Sequence, residues 1–468
     1  MYIYLLLLFF FVGLIVCYKV FDKDIMSPAV IYFFVYLASI LCTIYNINKW
    51  GVNLSLKTFL ILSLGAIEFA IVSYLVFQKF KNEKSSDQNK KSIKIKEIKV
   101  DNWKIYLILL YSVVAIIALI YNIHLIAEKF GNPESIKETL SIYKDNASYK
   151  NNASLSQITS LLIKPLFAFA YINLFIFINN IIASKKNVKI RIKNNILYLL
   201  PVLAYIIQNL INSYRSGILN LGVAAFIMYG IIWSFKNNWS KKIPLKSLVY
   251  ILVIGVVGLL AFYLVGMLIG RRINSGFIDY ITMYCGGSIQ LFDMYIKEPV
   301  EKASIIGYET FFGFIINLHK FFHINIGIVP TGHLEWRFAN GYNVGNVYTS
   351  FRRWYQDFGY AGIIVLQSLL AAFYTWSYYM IKRMQYNRHR TNICIIYYSY
   401  FCYSLFTHFI DSTFYSFTFR LAFISQFIVF LIVYIFELIL RVTYSEGTIN
   451  IKLFNYKKSI RIKKNKTS

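Results

Sequence analysis

Arginines, carboxylates and histidines recur through the second half of this sequence in a pattern suited to phosphates and sugar hydroxyls. The stretch "GYNVGNVYTSFRRWYQDFGY", residues 341–360, sets Arg352 and Arg353 side by side, with Asp357 just behind them. A second pair, Arg271 and Arg272, stands in "MLIGRRINSG", while Arg215, Arg337 and Arg420 stand singly. A guanidinium is planar, always charged, and presents a fork of N–H groups that fits two phosphate oxygens at once. Gathered together, these arginines could hold an anionic ligand; taken singly, each equally suits an interfacial snorkel or a local salt bridge. His333 and Glu335 flank Leu334, and His408 and Asp411 stand three apart, on one face if a helical turn persists there. Any of these, or Asp357, could deprotonate a hydroxyl within hydrogen-bond reach, or could serve only as a structural hydrogen bond. Tyr348, Tyr355 and Trp354 offer faces on which a sugar ring could stack.

The elements that must position these residues are membrane spans. The chain has 468 residues, of which 57% are hydrophobic and only 15% charged, and the apolar residues fall in blocks. Those blocks have the length of about 17 to 25 residues that crosses a hydrocarbon core as helix. The fold class is therefore all-α, a polytopic transmembrane helical bundle forming a single integral membrane domain over 1–468. We read about 11 spans (range 10–12), near 2–18, 28–46, 58–78, 105–127, 158–183, 196–213, 217–235, 247–269, 360–381, 393–410 and 419–440. The N-terminus lacks a positive region and a cleavage site, so it reads as a first span.

Alternate connections are dense in lysine and arginine: the linker 79–104, "SKKNVKIRIK", "KNNWSKKIPLK", "KRMQYNRHR" and the tail 442–468. Positive-inside logic puts them in the cytoplasm, with the N-terminus outside and the C-terminus cytoplasmic. The net charge of +28 is thus a matter of orientation and of anionic membrane lipid, and no nucleic-acid partner is expected. The outer face carries a loop at 128–157 and a large one at 270–359. Loops of that length are uncommon unless they do something. Within the large loop, an apolar stretch over 303–330, interrupted by Glu309, His319, Lys320 and His323, reads as an interfacial helix. Glu68 lies mid-span, where it should pair with a polar group on a neighbouring helix. Asp293 reads as a structural or capping residue. Of the five cysteines, only Cys285 falls in a long polar loop, without an evident partner, and neither a disulfide framework nor a metal site is expected.

No Gly-rich phosphate loop, zinc motif or nucleophile elbow occurs, and nothing predicts nucleotide binding. An outer-facing enzyme must then draw its energy from the substrate, a need that a lipid-linked diphosphate sugar meets.

"NVYTSFRRWYQDFG", residues 346–359, resembles the signature of the Wzy-type O-antigen (oligosaccharide repeat unit) polymerases. The matching positions are Asn346, Val347, Tyr348, Thr349, Arg352 or Arg353, Tyr355, Asp357, Phe358 and Gly359. "SYRSGILNL" at 213–221 resembles the family's Arg-Ser/Thr-Gly segment. The resemblance implies a GT-C-like fold in the bacterial inner membrane and a periplasmic reaction without a cofactor. The growing glycan would move from undecaprenyl diphosphate onto a lipid-linked repeat unit, in O-antigen or capsule synthesis, with a chain-length regulator and a flippase as candidate partners. On this reading Arg215, Arg271, Arg272, Arg352 and Arg353 would hold the diphosphate. Asp357, or His333 with Glu335, would serve the acceptor hydroxyl, and Asn346, Tyr348, Tyr355, His408 and Asp411 would give sugar or local support. An O-antigen ligase and a lipid-linked oligosaccharide flippase are the alternatives.

Overall fold

A computed structural model describes residues 1–82, 94–149, 153–212, 214–240, 260, 263, 276–301, 305–322, 333–418, 420–445, 448–453 and 456–461. The helices are α1 (Tyr2–Val20), α2 (Pro28–Tyr45), α3 (Ile47–Trp50), α4 (Leu56–Asn82), α5 (Asn102–Glu128), α6 (Ile136–Lys144), α7 (Gln157–Ala183), α8 (Val188–Asn195), α9 (Leu199–Ile211), α10 (Ser216–Lys236), α11 (Phe277–Lys297), α12 (Phe312–Phe322), α13 (Ser350–Arg383), α14 (His389–Phe406) and α15 (Leu421–Tyr434). Among the described residues, 9 helical segments are long and apolar enough to cross a membrane. The expected span at 247–269 lies outside the described residues except at Leu260 and Tyr263, and Arg271 and Arg272 lie outside them altogether.

The chain packs into two compact units, one of residues 1–95 and 215–421, the other of 96–214 and 422–468. In the second unit, α5, α7 and α9 pack on one another, and Leu119, Ile123, Ile126 and Tyr143 form a buried cluster beneath α6. Its interior also holds charge that the sequence reading passed over. Lys104 and Glu437 are each 2% exposed; Lys104 Nζ donates to the Glu437 carbonyl (3.3 Å), and Asn173 Nδ2 donates to Glu437 Oε2 (2.9 Å). The basic tail is not featureless: β3 (Arg441–Ser445), β4 (Thr448–Leu453) and β5 (Tyr456–Arg461) form an antiparallel meander, in keeping with the β-branched residues of "VTYSEGTINI".

In the first unit, α1, α2 and α4 pack together, α13 lies along α4, and α10 along α14. Glu68 meets the hydroxyl of Ser368 on α13 at 2.6 Å, the expected pairing with a neighbouring helix. The described residues of the large loop expected at 270–359 include regular structure. It contains α11, which sequence reading took for loop because Asp279, the Gly286–Gly287 pair and Asp293 break its apolar run. Tyr280, Ile289, Phe292, Tyr295 and Ile296 nevertheless recur at helical spacing and are buried.

α11 runs across one end of this unit. Tyr280 on its first turn meets Arg215 at the start of α10, its middle meets Thr43 near the end of α2, and Asp293 meets Ser55 at the start of α4. Asp293 is fully buried and accepts from Ser55 N and Ser55 Oγ, both at 2.8 Å, with Lys297 Nζ 2.6 Å away, so it caps α4 from another element. Within the apolar stretch 303–330, Phe312–Phe322 forms α12, while 303–304 and 323–330 lie outside the described residues. The hairpin β1 (Arg337–Ala339) to β2 (Tyr342–Gly345) follows, closed by Asn340 and Gly341 at positive φ.

α13 begins ten residues before the expected span. Gly359 has φ 64° and ψ −146°, which splits α13 into a short segment, residues 350–358, and a long one from residue 360. The short segment starts without a side-chain cap; the His408 carbonyl instead accepts from Ser350 N at 3.0 Å and from Ser350 Oγ at 2.8 Å.

Candidate functional site

The arginine pair sits on this short segment, and its surroundings come from three further pieces of chain. Arg352 is 1% exposed and reaches two carboxylates. Nη1 pairs with Glu309, on the turn before α12, and Nη2 with Glu335 Oε2 at 2.8 Å. Its guanidinium lies 4.4 Å from the centre of the Tyr295 ring and 5.5 Å from that of Tyr348, so aromatic faces enclose the charge. Arg353 points the other way and is 3% exposed. Nε donates to Asp411 Oδ1 at 2.7 Å and Nη2 to Oδ2 at 3.1 Å, a bidentate fork, while Nη1 donates to the Glu309 carbonyl at 3.3 Å. Adjacent residues on a helix point about 100° apart, which is why two neighbours serve two different carboxylates.

The two arginines are thus the buried floor of a carboxylate-rimmed site. The side chains of Glu309, Glu335 and Asp411 keep 15%, 25% and 20% exposure, while the arginines beneath keep almost none. Solvent therefore reaches the carboxylates more than the guanidiniums. Such a rim suits hydroxyls, which donate to carboxylates. Burial pushes the Glu309 carboxyl above the ordinary carboxylate range, against the opposing pull of Arg352 and Arg353.

Asp357 does not face this rim. Its carboxylate accepts from Thr310 N at 2.7 Å and Glu309 N at 3.4 Å, and so holds the turn that carries Glu309. The Asp357 expected to serve a hydroxyl is therefore committed to the backbone. Glu335, half of the His333 and Glu335 pair, does face the site; His333 is exposed. Among the described residues Glu335 Oε1 accepts no hydrogen bond, and it lies 3.5 Å from Arg337 Nη2. Arg337 in turn donates to the carbonyls of Met294 and Glu298, at 2.9 and 2.6 Å, and ties the hairpin to the end of α11.

His408 and Asp411 do not share a helical face, because α14 ends at Phe406 and the chain turns. His408 points inward. Its Nδ1 meets Tyr36 Oη at 2.9 Å and its Nε2 meets Gln367 Oε1 at 3.0 Å, inside a shell formed by Tyr32, Phe351 and Trp354. Gln367 directs its amide nitrogen to Tyr32 Oη and the Gly65 carbonyl, which turns Oε1 toward the imidazole. Nε2 then donates, Nδ1 accepts, and the ring is a structural post with no nitrogen left for a substrate.

Tyr348 is buried and donates to the Glu335 carbonyl at 3.1 Å, positioning Glu335. Tyr355 is half-buried, edge-on to Tyr295 and Tyr360, and Asn346, nine residues before it, is half-buried too. Arg215 is not part of the cluster. Its Nη1 donates to Tyr280 Oη at 3.0 Å, fifteen residues along α11 from Tyr295, which is roughly 20 Å of helix axis. Glu309 is the member that sequence reading missed; its signal was a lone carboxylate inside an apolar interfacial stretch. Comparison with protein-family models, curated proteins and solved structures yields no match to this chain.

Proposed function

We propose that this protein is a membrane glycosyltransferase that elongates a glycan carried on undecaprenyl diphosphate, an oligosaccharide repeat unit polymerase working at the periplasmic face of the inner membrane. One observation carries the reading. The segment that resembles the polymerase signature is also the segment whose Arg352 and Arg353 underlie a rim of three carboxylates, on elements joined by the large loop.

In this mechanism the acceptor hydroxyl of a lipid-linked repeat unit docks on the rim and gives its proton to Glu335. Its oxygen attacks the anomeric carbon of the donor glycan, forming the new glycosidic bond. The bond from that carbon to the diphosphate breaks, and its electron pair leaves on the diphosphate oxygen. Arg352 holds Glu335 oriented, the preorganisation such a step needs. Arg352 and Arg353 are already balanced by carboxylates, so the charge of the departing diphosphate falls chiefly to Arg271 and Arg272. The flippase alternative calls for charged groups lining a transmembrane cavity. Lys104, by contrast, spends its ammonium on the carbonyls of Glu437 and Leu440.

The test is complementation of a null strain, read on a glycan ladder gel. Loss of the gene should leave core carrying one repeat, and the wild-type gene should restore the ladder. Bare core in the null strain would make the protein a ligase. Arg352→Lys keeps the charge but loses the fork, and Arg271→Ala with Arg272→Ala removes the proposed diphosphate clamp. Both variants should accumulate to normal level and fail to restore long glycan; a normal ladder from both overturns the mechanism.

A further inference from the structure

Cys42 on α2 and Cys285 on α11 are far apart in sequence, and Cys285 had no evident partner there. In the fold they meet. α11 crosses the end of α2 with the two backbones in contact, because Gly286 has no side chain: a Cβ at that position would fall 2.5 Å from Thr43 N, 2.6 Å from the Cys42 carbonyl carbon and 2.9 Å from Cys42 Cβ. Two hydrogen bonds fix the register of the crossing. Ser39 Oγ donates to the Cys285 carbonyl at 2.6 Å, and Thr43 Oγ1 donates to the Gly286 carbonyl at 2.8 Å. Both are free thiols in this structure, and both residues are only half-buried. A disulfide requires Cα atoms about 4.4–6.8 Å apart, closer than two helices usually pack, and a glycine at the crossing is what permits such an approach.

We propose that Cys42 and Cys285 are joined in the membrane-inserted protein by a disulfide that staples α11 to α2. Two thiols give up two protons and two electrons to a disulfide-bearing oxidant, a protein or glutathione disulfide. That oxidant leaves as two thiols, and exchange proceeds through a mixed disulfide. Charge asymmetry assigns the connections 47–57 and 270–359 to the outer face, the side on which disulfides persist. The staple lies midway along the helix that supports the arginines at both ends, Arg215 through Tyr280 and Arg352 through Tyr295. It holds that support against sliding, whatever the site above it does.

The test uses the full-length chain in its own membranes. Membranes are solubilised in N-ethylmaleimide without reductant, and the protein is digested and analysed by mass spectrometry. A Cys42–Cys285 linked peptide that carries no maleimide and separates on reduction is expected. Maleimide on both cysteines in the unreduced sample overturns the proposal. In Cys42→Ser, Cys285 should become quantitatively alkylated, and in Cys285→Ser so should Cys42; a thiol that stays blocked in either variant has a different partner and equally overturns the pairing. Reductant should lower the midpoint of thermal unfolding of the wild type and leave the double serine variant unmoved, and equal response in both overturns the structural role.

Discussion

Arg353 and Asp411, 58 residues apart, meet as a bidentate ion pair at 2.7 and 3.1 Å, with the guanidinium 3% exposed and the carboxylate on the rim of the site. The pair joins the short helix before Gly359 to the turn after α14. Removing one partner leaves a buried charge unmatched, which costs about 3 kcal/mol, whereas replacing both with apolar groups of similar size costs far less. Asp411→Asn should therefore lower the unfolding midpoint of the detergent-solubilised protein markedly. Arg353→Met combined with Asp411→Leu should recover most of that loss while remaining inactive on the ladder gel. Additive losses in the double variant would mean the two residues act independently.

Glu335 and Asp357 separate chemistry from scaffolding. Glu335→Gln keeps the shape and a hydrogen bond to Arg352 but cannot take a proton. It should leave thermal stability within about 1 kcal/mol of wild type and abolish long glycan. Asp357→Ala frees the backbone N–H groups of Glu309 and Thr310, which should cost about 1–2 kcal/mol of stability. Its glycan ladder should fall only as far as the protein level does. The opposite pattern, an inactive but stable Asp357→Ala, would return the base to Asp357.

The pH dependence of stability follows from Glu309. Burial lifts its folded pKa above the ordinary 4.5, so between those two values the folded chain binds more protons than the unfolded one. Stability is linked to the difference in bound protons and therefore falls as pH rises through that window. Glu309→Gln should remove this slope without changing behaviour well below pH 4.5. Unfolding midpoints measured against pH for wild type and variant decide it; parallel curves would mean Glu309 titrates normally.

Gly359 carries φ 64° with ψ −146°, a region open almost only to glycine. A Cβ there would touch nothing within 4 Å, so the cost of Gly359→Ala is backbone strain and not a clash. About 1–3 kcal/mol is expected, together with a misaligned arginine pair and a shortened ladder. Gly345→Ala, also at positive φ with open space around it, should show the strain with less effect on the ladder. An unchanged Gly359→Ala would mean the kink is not required.

The helical membrane architecture was legible in the apolar blocks, and the polar partner of Glu68 was foreseeable because an unpaired carboxylate at that depth is costly. Residue type and spacing single out Arg352 and Arg353 in the opening motif and Glu335 and Asp411 outside it, but say nothing of their meeting. Nor does spacing reveal that Asp357 bonds the backbone of Glu309 and Thr310 and His408 bonds Tyr36 and Gln367, since that depends on which groups face them. α11 and the C-terminal meander were illegible for a different reason: glycines and charges interrupt their patterns, and only packing against α2 or strand pairing restores the period.

Local composition and spacing therefore settled which segments are helical and apolar, since burying apolar surface and satisfying backbone hydrogen bonds within a helix are properties of contiguous residues. Tertiary structure alone decided that two adjacent arginines serve different carboxylates, that Arg215 stands at the far end of α11 from them, and that Cys285 has a neighbour. Each of those facts is a meeting of side chains distant in sequence, where direction and closeness come from how helices cross and carry no trace in the order of the residues.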